Sequence, residues 1–328
     1  LISLLFYGIF HTYMIENFTM QSKQRTVKNK VRFVGKGIHT GQLSNIIVGP
    51  APTDSGIVFK RTDISSKNNA TVQAIHTNVC STYYCTELSN EDQISVLTVE
   101  HLLAAILGLN IDNAEILIDG PEVPILDGSS KIFFDGLKDA GTTQQNNTKK
   151  FIKITKPIRV SNNASYASFM PYEALFVDAQ IDFSHERIGV QRMETIIDQN
   201  TFQSEIVSSR TFGFLEHAEK LNSMGYGLGV NLSNTIVLTE KNIMNTDGLQ
   251  YADEFVRHKI LDICGDLKLA NFNIIGKYTS VYGGHYLNYL ALEKLFKNID
   301  AWELIELEED YVDTPNSKEN VQQKLVNL

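Results

Sequence analysis

From residue 25 onward, short apolar runs alternate with polar positions and are broken by Gly, Pro and Asp, as in 30-KVRFVG-35, 43-LSNIIVGPA-51 and 56-GIVFKRT-62. A two-residue period of this kind predicts half-buried strands. In 94-ISVLTVEHLLAAILGLN-110 the period lengthens to that of a helix, and 113-NAEILIDG-120 returns to strand. The Gly- and Pro-punctuated loop 120-GPEVPILDGSS-130 leads into a shorter amphipathic helix, 131-KIFFDGLKDAG-141. The next nine residues, 142-TTQQNNTKK-150, are free of apolar side chains, which predicts a linker.

The plan then repeats. Strands are expected at 151–160, 166–172 and 174–183, followed by helical text containing 255-FVRHKILDICGDLKL-269, a strand at 272–282 and a helix at 285–298. The two central helices share a spacing, Val99-x-His101-x6-Gly108 and Val256-x-His258-x6-Gly265. The expected fold class is therefore α+β: a duplicated unit, residues 20–141 and 151–305, each a sheet with its helices on one face and not a doubly wound parallel sheet.

The second central helix carries His258, Asp262 and Asp266 at steps of four, on one helix face. One reading is a solvated polar side, with Phe255, Ile260, Leu261 and Ile263 packed inward. The other is chemical. If the helical layers pack together, His101 meets His258 and Asp262, and two nitrogens with one oxygen leave an open position on a catalytic zinc. Glu100 then stands beside the metal as a candidate base. On spacing alone both readings stay open, as does a hydrogen-bonded structural role for His101 and a buried-thiol role for Cys85 and Cys264.

Composition narrows the class. With 43% hydrophobic and 20% charged residues the chain is of soluble globular type. A net charge of −9 without a basic block argues against nucleic acid as a partner. Three cysteines without a CxxC pair favour a reducing compartment, and the expected location is the cytoplasm. The opening 1-LISLLFYGIF-10 is shorter than the roughly 20 residues a spanning helix needs and lacks a signal peptide's basic start, so no stable membrane insertion is expected. Residues 1–19 read as an extension or start-site artefact, and 306–328 as an acidic flexible tail.

The strings 37-GIHTG-41, 98-TVEHLLAAILGLNIDN-113, 124-PILDGSS-130, 209-SRTFGF-214, 246-TDGLQYADEFVRHKILDICGDL-267 and 283-GGHYLN-288 resemble, in order, the UDP-3-O-acyl-N-acetylglucosamine deacetylase family. The resemblance runs from about residue 22 to about 305. It implies two α+β domains whose helices lie between two outer sheets. It also implies a zinc enzyme that hydrolyses the N-acetyl group of a UDP-3-O-acyl-N-acetylglucosamine at the committed step of lipid A synthesis, acting as a monomer.

Carried over by motif, His101, His258 and Asp262 would hold zinc and Glu100 would be the general base. His285 would be the charged proton donor, oriented by Asp266, and Thr211 would help polarise the acetyl carbonyl. Lys259, directed away from the metal, would meet the substrate's polar head, with His39 and Phe212 as further substrate contacts. Residues 214–238 match the family's second-domain insertion, where Leu215, Ala218, Gly227, Val230 and Val237 would line an acyl passage. Cys85 falls where some members have a cysteine facing the metal. Tyr282 departs from the pattern, standing where the family often has a basic residue, which shifts phosphate contact toward Lys259 and His39. Two rivals are a zinc amidohydrolase on another N-acyl sugar and a nonenzymatic sugar-nucleotide binder; Glu100 together with His285 argues against the second, because binding needs neither a base nor an acid.

Overall fold

The computed structural model describes residues 21–65 and 69–307, with the backbone of 324–325. The 1–19 extension lies outside these residues, as does the 306–328 tail apart from 306–307 and Lys324–Leu325, whose backbone pairs with Trp302–Glu306.

The first half builds a five-stranded sheet in the order Val31–Lys36, Leu43–Gly49, Ala114–Ile118, Ile57–Arg61, Thr71–Gln73. Ile57–Arg61 and Ala114–Ile118 run parallel; the chain between them crosses over through helix α1, Glu100–Gly108. Parallel neighbours need such a crossover. Helix α2, Lys131–Ala140, lays Phe133, Phe134 and Leu137 on the same side, with Phe133 edge-on to Phe33 at 5.1 Å.

The second half repeats the device. Leu175–Phe183 and Asn273–Val281 pair in parallel, and helix α3, Glu254–Lys268, lies in the chain between them. Helix α4, His285–Lys297, packs over Ile158–Asn162 and Ser165–Met170. The two halves meet where α1 packs on α3, and buried apolar residues of both halves form one continuous core. All nine residues of α1 are buried, as are thirteen of the fifteen in α3. α1 is apolar on nearly every side past its first two residues, as a helix sandwiched by other elements is, whereas α3 buries a row of charged side chains as well. A Cβ on Gly265 would lie 2.1 Å from the Glu100 carbonyl oxygen, so glycine there lets α3 touch the backbone of α1.

Two expectations are corrected. The polar 142–150 segment is not irregular: Thr142–Thr148 pairs antiparallel with Lys23–Val27, and Lys150–Ile154 enters the second sheet. Every residue of Thr142–Thr148 stays at least partly exposed, so no apolar alternation betrays the strand. The single strand expected over 151–160 is two, because the chain turns at residues 155–157, where Thr155 and Lys156 donate to the Ala301 carbonyl and Pro157 has no N–H.

Candidate metal centre and active site

The tight start of α1 and the polar ladder of α3 face each other across the Gly265 contact. Thr98 precedes α1 in the left-handed region at φ 58°, and two residues later the helix begins with Glu100 and His101. The Ser130 hydroxyl donates to the His101 carbonyl at 2.7 Å and ties the 124–130 loop to this first turn. On α3, His258 is 2% exposed and Asp262 3%, and Asp266 is likewise buried, which rules out the solvated-side reading of the ladder.

His101, His258 and Asp262 each offer a ligand atom, and the three atoms lie within 4.8 Å of one another. Asp262 Oδ1 is 3.4 Å from His258 Nε2 and 3.9 Å from His101 Nε2, buried and without a hydrogen-bond donor. The His258 Nδ1 lies 3.1 Å from the Ser209 carbonyl, which can only accept, so Nδ1 carries the proton and Nε2 presents a lone pair to Asp262. Burial depresses His101, and pushes His258 down to about 3 against the pull of Asp262. Burial alone would raise Asp262, but His258 and Lys259 prevail and hold it well below the usual carboxylate range. Neutral imidazoles and an ionised carboxylate with one oxygen free of donors, converging in a dry site, are the donor set a divalent cation needs. The residues fit the metal.

Beside this cluster, Glu100 and His285 stand 3.7 Å apart, Oε1 to Nε2. Burial, with Asp266 and Asp262 adding and His285 opposing, pushes Glu100 up to about 8. His285 opens α4, where burial and the helix's positive end both disfavour its charge. The Asp266 carboxylate at 2.8 Å from Nδ1 outweighs them, with Glu100 and Asp262, and raises His285 to about 10. Asp266 is itself held by the Thr86 hydroxyl at 2.6 Å and the Asn288 amide at 2.8 Å, and Asn288 receives the Tyr278 hydroxyl at 2.7 Å.

Glu100 and His101 open onto a cavity of about 540 Å3. Its walls include His39, Thr211, Phe212, Lys259 and all five expected passage residues, Leu215, Ala218, Gly227, Val230 and Val237. Phe212 places its ring 6.2 Å from His258, edge to face. His39 is nearly buried and packs edge to face on Tyr226. Lys259 departs from expectation: its Nζ is directed at the metal cluster, 2.9 Å from Asp262 Oδ2, while still lining the cavity. Cys85 is outside the three-ligand group; burial pushes its thiol well up. Tyr282 accepts from the Gln180 amide at 3.2 Å.

Thr86, Asn288 and Tyr278 escaped sequence reasoning, as did the buried pair Arg210–Glu254 at 2.9 Å, which fixes the loop carrying Ser209 and Thr211. Asn288 lay inside the 283–288 string, four residues from the turn. Thr86 gave no signal, since a single threonine after Cys85 has no spacing to read.

The family described as "LpxC: UDP-3-O-acyl N-acetylglycosamine deacetylase" matches residues 24–297. Three relatives bear the name UDP-3-O-acyl-N-acetylglucosamine deacetylase. One from Shewanella pealeana is 41% identical over 296 residues, 90% of this chain and 96% of the relative. One from Histophilus somni is 42% identical over 289 residues, 88% of this chain and 94% of its own length. One from Saccharophagus degradans is 44% identical over 292 residues, 88% and 95% respectively.

Proposed function

Because the chain belongs to the UDP-3-O-acyl N-acetylglycosamine deacetylase family, hydrolases that act on an amide, we propose that it removes the N-acetyl group of UDP-3-O-(3-hydroxyacyl)-N-acetylglucosamine, with zinc held by His101, His258 and Asp262. The observation that carries this reading is one juxtaposition: three buried ligand atoms within 4.8 Å, next to the Glu100–His285 pair, at the edge of a largely apolar cavity. Zinc, when bound, supplies Lewis-acid polarisation of the acetyl carbonyl and makes water a better nucleophile.

The chain's own groups handle the protons. Glu100, whose affinity for a proton burial raises, takes in its ionised form a proton from the water whose oxygen bonds to the acetyl carbon. His285, charged at neutral pH, gives a proton to the nitrogen as the C–N bond breaks, releasing acetate and the free 2-amine. Thr211 lines the same cavity as His101, and its role in this reading is to help polarise the acetyl carbonyl. Lys259 and His39 meet the polar head, and the 214–238 segment holds the acyl chain. The protein acts as a monomer in this reading. Among the described residues no helix is long and apolar enough to cross a membrane, and we place the reaction in the cytoplasm, at the committed step of lipid A synthesis. Acetate release from the UDP-sugar by purified, metal-analysed protein tests the reading; a protein that carries its metal and leaves that substrate intact refutes it.

Two further outcomes are expected. His285 works as an acid only while charged, so kcat/KM falls as pH rises through its pKa. Burial lowers that pKa and Asp266 is the largest influence raising it; Asp266→Asn should move the basic limb to lower pH while metal content holds. A basic limb that stays in place would separate Asp266 from the acid. In the cavity, Val230→Trp or Leu215→Asp should lower kcat/KM for the acylated substrate. Each acyl CH2 removed should weaken binding by about 0.8 kcal/mol, roughly fourfold. Equal turnover of the nucleotide sugar with and without its 3-O-acyl chain would show that this segment does not select it.

A further inference from the structure

Resting on that reading, we infer that Glu122 is a positioning residue: one buried carboxylate that sets both the start of the base-bearing helix α1 and the loop carrying His39. Glu122 is 1% exposed. Its Oε1 accepts from the His39 backbone N–H at 2.8 Å and the Thr98 hydroxyl at 2.9 Å. Its Oε2 accepts from the Thr40 N–H and the Thr40 hydroxyl, both at 2.7 Å. The 37–41 loop wraps this group closely, for a Cβ on Gly37 would fall 2.1 Å from Oε2. Four neutral donors on a dry carboxylate form an anion nest inside the protein.

What the carboxylate holds gives it reach. Thr98 is β-branched and sits at φ 58°, a conformation such residues adopt only when their surroundings impose it. The imposing contacts come from Glu122 and its neighbours: the Thr98 hydroxyl bond, Leu97 N–H to the Pro121 carbonyl at 2.9 Å, and Val123 N–H to the Leu97 carbonyl at 3.0 Å. Glu100 and His101 come two and three residues after Thr98, so the turn aims the base and the first ligand. On the other side, the carbonyls of Ile38 and His39 accept from Gly229 and Leu228 at 3.0 and 3.1 Å, which ties the same loop to the segment walling the cavity. Glu122 therefore joins the helix start and the 37–41 loop through its own bonds, and reaches the cavity segment through that loop.

The two arms are separable. Thr98→Ala removes the donor on the helix arm and Thr40→Val removes one on the loop arm. Glu122→Gln keeps the shape but turns an acceptor into a donor facing donors. We expect Glu122→Gln to weaken zinc binding, read by competition with a chromogenic chelator, by 10- to 100-fold, the size seen for groups that orient ligands, and to lower kcat with unchanged far-UV circular dichroism. Thr98→Ala should reproduce the loss of zinc affinity and kcat at wild-type KM. Thr40→Val should raise KM severalfold at wild-type zinc affinity. If Glu122→Gln does not fold, the two threonine variants decide alone. Wild-type zinc affinity, kcat and KM in folded Thr98→Ala and Thr40→Val, with only a lowered melting temperature, overturns the inference and leaves Glu122 a fold element. Wild-type protein that binds zinc but releases no acetate counts against the deacetylase reading, while the zinc affinities still test Glu122.

Discussion

His258→Ala is expected to lose the metal and acetate release together. Three protein ligands are the minimum for a catalytic zinc site with an open position, and here they come from two helices, His101 on α1 and His258 and Asp262 on α3. Without His258 the remaining pair offers one nitrogen and one oxygen, and Asp262 turns to its other partner, the Lys259 ammonium at 2.9 Å. That ion pair satisfies the buried charge, so the chain has little reason to unfold and every reason to stay empty. Elemental analysis of metal per chain and an acetate assay on the same preparation check this. Near-full metal occupancy in both His101→Ala and His258→Ala would remove the site from this place.

Glu100→Ala should behave in the opposite way, keeping the metal and losing roughly 10² to 10⁴ in kcat, the usual range for a general acid–base group. Glu100 is not among the three converging ligands, although it is the residue next to one of them. Its side chain is buried against His285 and accepts from the Thr86 N–H at 3.2 Å. The substitution also removes one of the charges that raise His285, so the basic limb of the residual activity should move down in pH. His285→Ala should keep the metal, cost a similar factor and erase that limb. A Glu100→Ala protein with full metal and near-normal kcat would send the base elsewhere.

The sequence carried the parts of this site that obey a helical period. His258, Asp262 and Asp266 are legible because α3 presents every fourth residue to one place, and Val99-x-His101 is legible because α1 repeats the spacing. Partners that come from loops are not. Thr86 reaches Asp266 across 180 positions, and Glu122 reaches His39 across 83; no local pattern encodes either contact. The same limit governs strands. Leu43–Gly49 alternates buried and less buried residues through Val48 and was readable, whereas Thr142–Thr148 has only polar side chains and finds its partner some 120 residues away, at Lys23–Val27. The direction of Lys259 was missed for a further reason: its position on the helix places its Cα, but the long side chain bends back to Asp262 Oδ2.

The backbone contact at Gly265 sets a tolerance. Glu100 and the Asp262–Asp266 ladder are spaced by two main chains in touch, and main-chain atoms are the same whatever residues surround them. Substitutions elsewhere in the core can soften or stiffen the protein without resetting the gap between base, ligands and acid. A single added methyl group at 265 reaches all three at once. The geometry of the chemistry is thus decoupled from most of the sequence that supports it and concentrated at one position that bears no side chain.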